Sequence, residues 1–388
     1  MITGQFKEKT LSLLGFGTMR LPVLEGGVID EKQVHEMVDY AMAHGVNYYD
    51  TAYPYHNGES EVVVGRALSR YPRECFYLAD KFPGHQIMEK YDPAAVFEDQ
   101  LSKCGVDYFD FYLLHNVYEN SIHTYMDPKW GILEYFKEQK RLGRIKHLGF
   151  SCHGNPETLK TFLDYCGDDM EFCQIQLNYL DWTLQQAKEK YELLTARGIP
   201  VWVMEPVRGG KLANLPAEDA MRLKERRPEE SVAAWGFRFL QGLPNVTMVL
   251  SGMSNMAQMV DNIQTFETQK ALTKEEEALV LELEEKLKDA IPWTACRYCC
   301  DGCPAGLDIP TLLGFYNDIR FSPTLTVIMR VESLPEERRA DACIGCGKCA
   351  KICPQSIEIP NHMKAFAETL KKLPSWIQVC REREAGQK

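Results

Sequence analysis

Eight of the fourteen cysteines fall between positions 296 and 353, and their spacing narrows what they can do. Cys343, Cys346, Cys349 and Cys353, in "CIGCGKCAKICP", form the run Cys-x2-Cys-x2-Cys-x3-Cys-Pro. Soft thiolates at that spacing suit iron–sulfur ligation, and Gly345 and Gly347 let the loop wrap a cluster. Structural zinc is the competing use of such thiolates. Upstream, "ACRYCCDGCP" holds Cys296, Cys299, Cys300 and Cys303. Counted back from Cys303, the same run asks for ligands at 299, 296 and 293, and position 293 is Trp293. The upstream run is therefore one ligand short in frame, with Cys300 as the spare thiol beside it.

The other six cysteines, Cys75, Cys104, Cys152, Cys166, Cys173 and Cys380, are scattered and read as small buried hydrophobes. "MITGQFKEKTLSLLG" lacks the apolar core of a signal peptide. No apolar run approaches the roughly 20 residues that cross a bilayer. The expectation is a cytoplasmic protein without a membrane span, in a reducing compartment where clustered cysteines bind metal. A formal charge of −11 speaks against a nucleic-acid surface, which needs a basic stripe.

The elements that must position these groups follow from periodicity. From residue 11 to about 265, short β-rich runs alternate with helix-length amphipathic stretches. The runs are "LSLLGFG", "VNYYD", "CFYLADK", "DYFDFYLLH", "IKHLGFS", "EFCQIQLN", "IPVWVME" and "VTMVLSG". Strict β-α alternation predicts a parallel sheet, and eight units over roughly 250 residues is the size of a TIM barrel. A doubly wound open sheet is the rival, but the Gly-rich fingerprint after its first strand is missing. "TKEEEALVLELEEKLKDA" reads as a charged amphipathic helix closing the barrel. The composition changes after it, which sets domains at 1–290 and 291–388. The tail repeats itself: "CPAGLDIP" (303–310) and "CPQSIEIP" (353–360) share the form Cys-Pro-x-x-apolar-acid-Ile-Pro. The segment between them reads as helical. The expected whole is an α/β TIM (β/α)8 barrel followed by a small α-helical ferredoxin-like iron–sulfur domain.

Catalytic groups of such barrels sit at the C-terminal ends of strands. Those ends carry Asp50, Lys81 and His115, with Tyr55 five residues beyond Asp50. Singly, each has a bland reading: a helix cap for Asp50, a surface aromatic for Tyr55, a structural histidine for His115. Together, in "DTAYPY", "LADK" and "LLH", and in the longer "GVNYYDTAYPYHNGESEVVVGRAL", they resemble the aldo-keto reductases. The resemblance spans residues 11 to about 265. It implies carbonyl reduction by hydride from NAD(P)H, with a small aldehyde or ketone as substrate. Tyr55 would give the proton, Lys81 held by Asp50 would lower its pKa, and His115 would orient the carbonyl.

The resemblance also implies that Ser151 and Gln174 hold the nicotinamide amide and that Met204 covers the ring, where the family commonly has an aromatic. "SGMSNMAQMVDN" is similar to the family's phosphate-and-adenine segment, through Gly252, Ser254, Gln258 and Asn262. Some branches carry Lys or Arg there for a 2′-phosphate; Gly252 and Gln258 stand at those places here, leaving Arg208 and Lys211 as the nearby cations. The bland alternative is a strand-to-helix turn with asparagine capping.

In two-cluster ferredoxins the fourth cysteine of each run ligates the other cluster. By that rule one site is Cys343, Cys346, Cys349 and Cys303. The other is Cys296, Cys299 and Cys353 with Cys300 as the spare thiol; the remaining options are a three-iron cluster, a non-cysteine ligand or no second cluster. Two 4Fe-4S clusters are expected. The whole arrangement resembles the iron–sulfur branch of the aldo-keto reductases. Two other functions stay open: an electron-transfer module on a reductase-like barrel, and a barrel that binds a flavin. Hydride carries two electrons and each cluster one, so nicotinamide cannot pass electrons to iron–sulfur directly, whereas a flavin could; a redox partner protein is the other macromolecule expected. The loop "HNVYENSIHTYMDPKW" offers Tyr118, Tyr125 and Trp130 either to line the pocket or to pack.

Overall fold

The computed structural model describes residues 1–288, 299, 303–321, 323–353 and 357–386. Its contacts gather into two compact units, Met1–Val280 and Leu281–Ala385. The division falls inside the helix Lys274–Lys288, ahead of the change in composition.

The first unit opens with an antiparallel hairpin of β1 (Thr3–Phe6) and β2 (Lys9–Ser12). Eight parallel strands then close into a barrel: β3 (Leu14–Gly17), β4 (Tyr48–Asp50), β5 (Tyr77–Phe82), β6 (Phe109–Val117), β7 (Ile145–Cys152), β8 (Cys173–Gln176), β9 (Val201–Met204) and β10 (Val246–Ser251). β10 pairs with β3 and completes the ring. The strands are largely buried on both faces, as their near-continuous apolar runs require. Helices between them start where the sequence offers caps. The Asp30, Asn155, Ser231 and Asn255 side chains each accept a first-turn backbone N–H. Gly65 lets the helix Glu59–Leu68 lie close against the helix Pro93–Cys104, since a Cβ there would stand 2.5 Å from the Cys104 carbonyl oxygen. Pro93 opens that second helix, at a position where its missing N–H costs nothing.

The first expected strand, "LSLLGFG", is therefore two strands. Residues 9–12 turn back onto β1, and only 14–17 enter the barrel. The Ser12 N–H donates to Asn47 Oδ1 (2.8 Å) and its hydroxyl to the Leu14 carbonyl (2.7 Å), which fixes the break at Leu13. The hairpin delivers Phe6 and Leu11 to an aromatic floor made by Tyr48, Phe111, Phe172 and Trp202. Phe6 meets Trp202 edge-on at 5.0 Å and Phe172 at 6.2 Å. One end of the barrel is thereby plugged, and the strand C-termini are left as the open mouth.

The second unit is helical, with helices Ile309–Phe321, Leu325–Glu332, Ile359–Leu370 and Trp376–Gly386. Its core gathers Leu307, Ile309, Ile357 and Ile359 from the two copies of the repeat. Each copy opens a helix with Ile-Pro, where a proline without an N–H is tolerated. The two helices so opened pack through Tyr316 and Phe366, whose rings are 5.3 Å apart. Among the described residues no helix is long and apolar enough to cross a membrane.

Candidate active site

Asp50 ends β4 and Lys81 lies on β5, the neighbouring strand, so their side chains converge inside the mouth. The Lys81 ammonium donates to Asp50 Oδ1 at 2.5 Å and to the Thr51 carbonyl at 2.6 Å, and is fully buried. Burial disfavours that ammonium, but Asp50 and Tyr55 outweigh it and lift the lysine above its ordinary value. Burial also lifts the Asp50 carboxyl, against the pull of Lys81.

Tyr55 stands in a tight turn, Tyr55–Gly58, in which His56 (φ 50°) and Asn57 (φ 57°) take left-handed backbone. Such conformations persist where the surroundings hold them. Here the His56 Nε2 accepts the Leu21 N–H at 3.2 Å and ties the turn to the loop after β3. The Tyr55 ring lies 4.9 Å from the Lys81 ammonium and meets His115 edge-on at 5.9 Å. All four expected groups are therefore brought together. The phenol does not move in the expected direction, however. Burial raises its pKa; Lys81 lowers it, Asp50 and Glu205 raise it further, and the net is upward. Lys81 is shared with Asp50 and cannot act on Tyr55 alone. The phenol keeps its proton, which is the state a proton donor requires.

His115 owes its aim to an irregularity in β6. Leu114 pairs with Phe150 and Val117 with Cys152, so β6 spends one more residue than β7 over that step. Asn116 takes φ 58° there. A bulge of this kind re-aims a side chain beside an active site. Tyr125, left open between lining and packing, packs: its buried hydroxyl lies 2.6 Å from the His115 carbonyl and 3.1 Å from that of Phe82. Tyr118 is likewise buried, and Trp130 stacks edge-on against Tyr91 at 5.0 Å. Sequence reasoning missed His85, which is buried with its ring 4.3 Å from that of His115. Its only signal was a polar pair, His85-Gln86, four residues past Lys81.

Ser151, Gln174 and Met204 close the opposite side of the mouth. Ser151 Oγ accepts the Asn116 N–H at 2.7 Å and keeps its own proton to donate. Gln174 places its NH2 3.5 Å from the Met204 sulfur, and its buried Oε1 has no hydrogen-bond partner. One spare donor and one orphaned acceptor match the two halves of a carboxamide, so these residues fit a nicotinamide. In the following segment Asn255 caps the helix Met256–Thr265. Gln258 Oε1 accepts the Ser254 N–H at 2.8 Å, and Asn262 donates to Ser251 Oγ at 2.8 Å. Gln258 and Asn262 thus spend these bonds inside the protein. Arg208 is buried, with its Nε 3.5 Å from Asp181, and is not presented to solvent.

In the second unit Cys303, Cys343, Cys346 and Cys349 line one cavity, together with Gly345 and Gly347 in left-handed backbone. Among the described residues no three His, Cys, Asp or Glu side chains are gathered on a single-ion site. Thiolates are the ligands an iron–sulfur cluster takes, and four of them share this lining. Cys299 is buried in the same core, against which Cys353 packs. Cys296 and Cys300 lie outside the described residues.

Residues 13–285 match the model of the aldo/keto reductase family, and residues 294–358 match a 4Fe-4S dicluster domain. An NADH-specific methylglyoxal reductase of Escherichia coli is 26% identical over 230 residues, 54% of this chain and 68% of that protein. An uncharacterised oxidoreductase of Bacillus subtilis is 25% identical over 297 residues, 69% of this chain and 90% of that one. Among solved structures, the holo form of an aldo-keto reductase from Bacillus halodurans superposes with a TM-score of 0.60 at 27% identity, over 73% of this chain and 96% of that one.

Proposed function

The chain belongs to the aldo/keto reductase family, and from that premise we propose that it reduces a small aldehyde or ketone with Tyr55 as proton donor. The observation that carries the reading is the buried Lys81, bridging Asp50 and the Thr51 carbonyl with the Tyr55 ring 4.9 Å from its ammonium. A bound nicotinamide dinucleotide would supply the hydride. Gln174 Oε1 and the Ser151 hydroxyl would hold its carboxamide, and Met204 would flank the ring. His115, with His85 beside it, would orient the carbonyl oxygen towards the Tyr55 hydroxyl. The proton passes from Tyr55 Oη to that oxygen as negative charge grows on it, and the Lys81 ammonium stabilises the phenolate left behind. The substrate named for the E. coli relative, methylglyoxal, sets the size of compound to try first.

The tail would hold two 4Fe-4S clusters, one on Cys303, Cys343, Cys346 and Cys349 and one on Cys296, Cys299, Cys353 and Cys300. Each cluster would carry one electron at a time, received from and returned to a redox partner protein, apart from the hydride that reduces the carbonyl. Protein purified without oxygen should contain about eight irons, as two cubanes of four, and no flavin. Tyr55→Phe should lower carbonyl reduction by a factor on the order of 10²–10⁴ while dinucleotide affinity stays as in wild type. Near-normal turnover in that variant removes Tyr55 from the mechanism, and stoichiometric flavin in the purified protein would replace the nicotinamide reading.

A further inference from the structure

We propose that Asp80 and Glu61 share one proton, and that the resulting carboxyl pair, with Gln100, fixes the strand end that carries Lys81. The positioning role rests on the part given to Lys81 above; the shared proton does not.

The need for such a device comes from the sheet. β4 pairs with β5 only as far as Asp50 and Ala79, and the Thr51 N–H then takes the Ala79 carbonyl at 3.0 Å. Beyond that point the chain turns away towards Tyr55. Lys81, two residues past Ala79, presents its peptide groups to the side that β4 has left. Side chains meet them instead. The Lys81 N–H donates to Asp80 Oδ1 at 2.8 Å, and its carbonyl accepts Gln100 Nε2 at 3.1 Å. Buried peptide groups left without such partners would be costly. Gln100 is itself held: its Oε1 accepts the Tyr112 hydroxyl at 2.5 Å, and its Nε2 also donates to Glu61 Oε1 at 3.0 Å.

Side chains alternate along a strand, so Lys81 points into the barrel and Asp80 out of it, towards the helices Glu59–Leu68 and Pro93–Cys104. Asp80 and Glu61 are both fully buried there. The first helix brings Glu61, and the second brings Asp99, Lys103 and Cys104. Lys103 lies 3.5 Å from Glu61 Oε2 and 2.6 Å from Asp99, while the Lys81 ammonium is given to Asp50. Neither ammonium is placed on Asp80. Two buried carboxyls so close and so little compensated do not both ionise. The hydrogen bonds place the proton. Glu61 Oε2 is buried, and no N–H among the described residues donates to it within hydrogen-bond geometry. Asp80 accepts the Lys81 N–H on Oδ1 and the Cys104 S–H, at 3.8 Å, on Oδ2. A proton on the Asp80 carboxyl, donated to Glu61, completes the set. Burial, and then the neighbouring Glu61, lifts that carboxyl well above its ordinary 3.8.

The test compares wild type with Asp80→Asn and Asp80→Ala. Asparagine keeps an acceptor for the Lys81 N–H and a donor for Glu61 but has no proton to lose; alanine keeps neither bond. At neutral pH the infrared spectrum of wild type should contain a protonated carboxylic acid band that Asp80→Asn lacks. The native pair holds a proton that the unfolded carboxyl has released, so stability falls as pH rises above 3.8. In urea titrations the unfolding constant of wild type should therefore rise against that of Asp80→Asn, by up to about tenfold per pH unit. An unchanged band or parallel urea curves would overturn the shared proton. In carbonyl reduction, Asp80→Ala should lower kcat by on the order of 10–100-fold with KM within about threefold, as a ~1 Å displacement of Lys81 would. Asp80→Asn should restore most of that rate. Should Asp80→Ala not fold, Gln100→Met, which frees the Lys81 carbonyl, takes its place with the same expected loss. Asp80→Asn as slow as either variant would overturn the positioning role. Wild type that reduces no carbonyl overturns the reading of Lys81, and the infrared and urea results then decide the proton alone.

Discussion

Lys81→Met is the perturbation with the clearest double consequence. The ammonium is fully buried and makes two hydrogen bonds, at 2.5 Å to Asp50 and 2.6 Å to the Thr51 carbonyl. Removing one member of a buried ion pair leaves the other charge uncompensated and costs about 3–5 kcal/mol. For a domain of this size that lowers the melting temperature by on the order of 10 °C. Reduction should fall as well, by a factor on the order of 10²–10⁴, because Tyr55 loses the cation that stabilises its phenolate. The two effects separate in Lys81→Met/Asp50→Asn. With neither charge buried, most of the lost stability should return, less the cost of an unpaired Thr51 carbonyl. Activity should not return. Thermal denaturation and initial rates of carbonyl reduction, measured on the same preparations, read both quantities. A Lys81→Met variant that melts within about 2 °C of wild type, or a double variant that regains turnover, would refute this account of the ion pair.

Three further outcomes are expected. Glu171 is half-buried, which raises its carboxyl, but hydrogen bonds from His147, Lys140 and Lys7 hold it down at about 2, below its ordinary 4.5. A depressed carboxyl contributes stability above its unfolded value and loses it as pH falls from 4.5 towards about 2; urea titrations should show wild type losing more stability over that window than Glu171→Gln, and parallel curves would contradict it. Because the Tyr55 phenol is raised rather than lowered, kcat/KM for reduction should show no loss from phenol ionisation below its ordinary value of 10.0. A falling limb centred near neutral pH in wild type, absent from Tyr55→Phe, would count against this. Cys303→Ser should remove roughly half of the iron from protein prepared without oxygen, whereas Cys380→Ser should leave iron content unchanged; equal iron in both would dismiss the cavity as a cluster site.

The barrel was legible because each strand is a short apolar run set off by an amphipathic helix, and local pattern is enough to see that. The four groups at the mouth were legible for a related reason: each ends a strand or follows one closely, so position along the chain stands in for position in space. His85 was not, since it lies beyond the end of β5 and meets His115 only through the fold. The direction of the Tyr55 shift was hidden as well. It depends on burial and on Asp50 sharing Lys81, and both come from closing the barrel. The hairpin escaped because its strands are four residues long and "LSLLGFG" shows no break. What divides it is Asn47, a partner from the far side of a helix.

That hairpin imposes an order of events. Phe6 rests on Phe111, Phe172 and Trp202, and the same floor includes Met248 of β10. A growing chain carries the hairpin's apolar side chains from Ser12, where β2 ends, until β10 begins at Val246. Contacts so distant in sequence form slowly, because loop closure must be met before they reward it. The hairpin can therefore be fully docked only once the ring has closed. Early in synthesis it is an exposed two-stranded piece, marginal by itself and open to wrong pairings. Its charged turn, Lys7 and Glu8, lies at the tip of that piece and keeps the tip soluble while it waits.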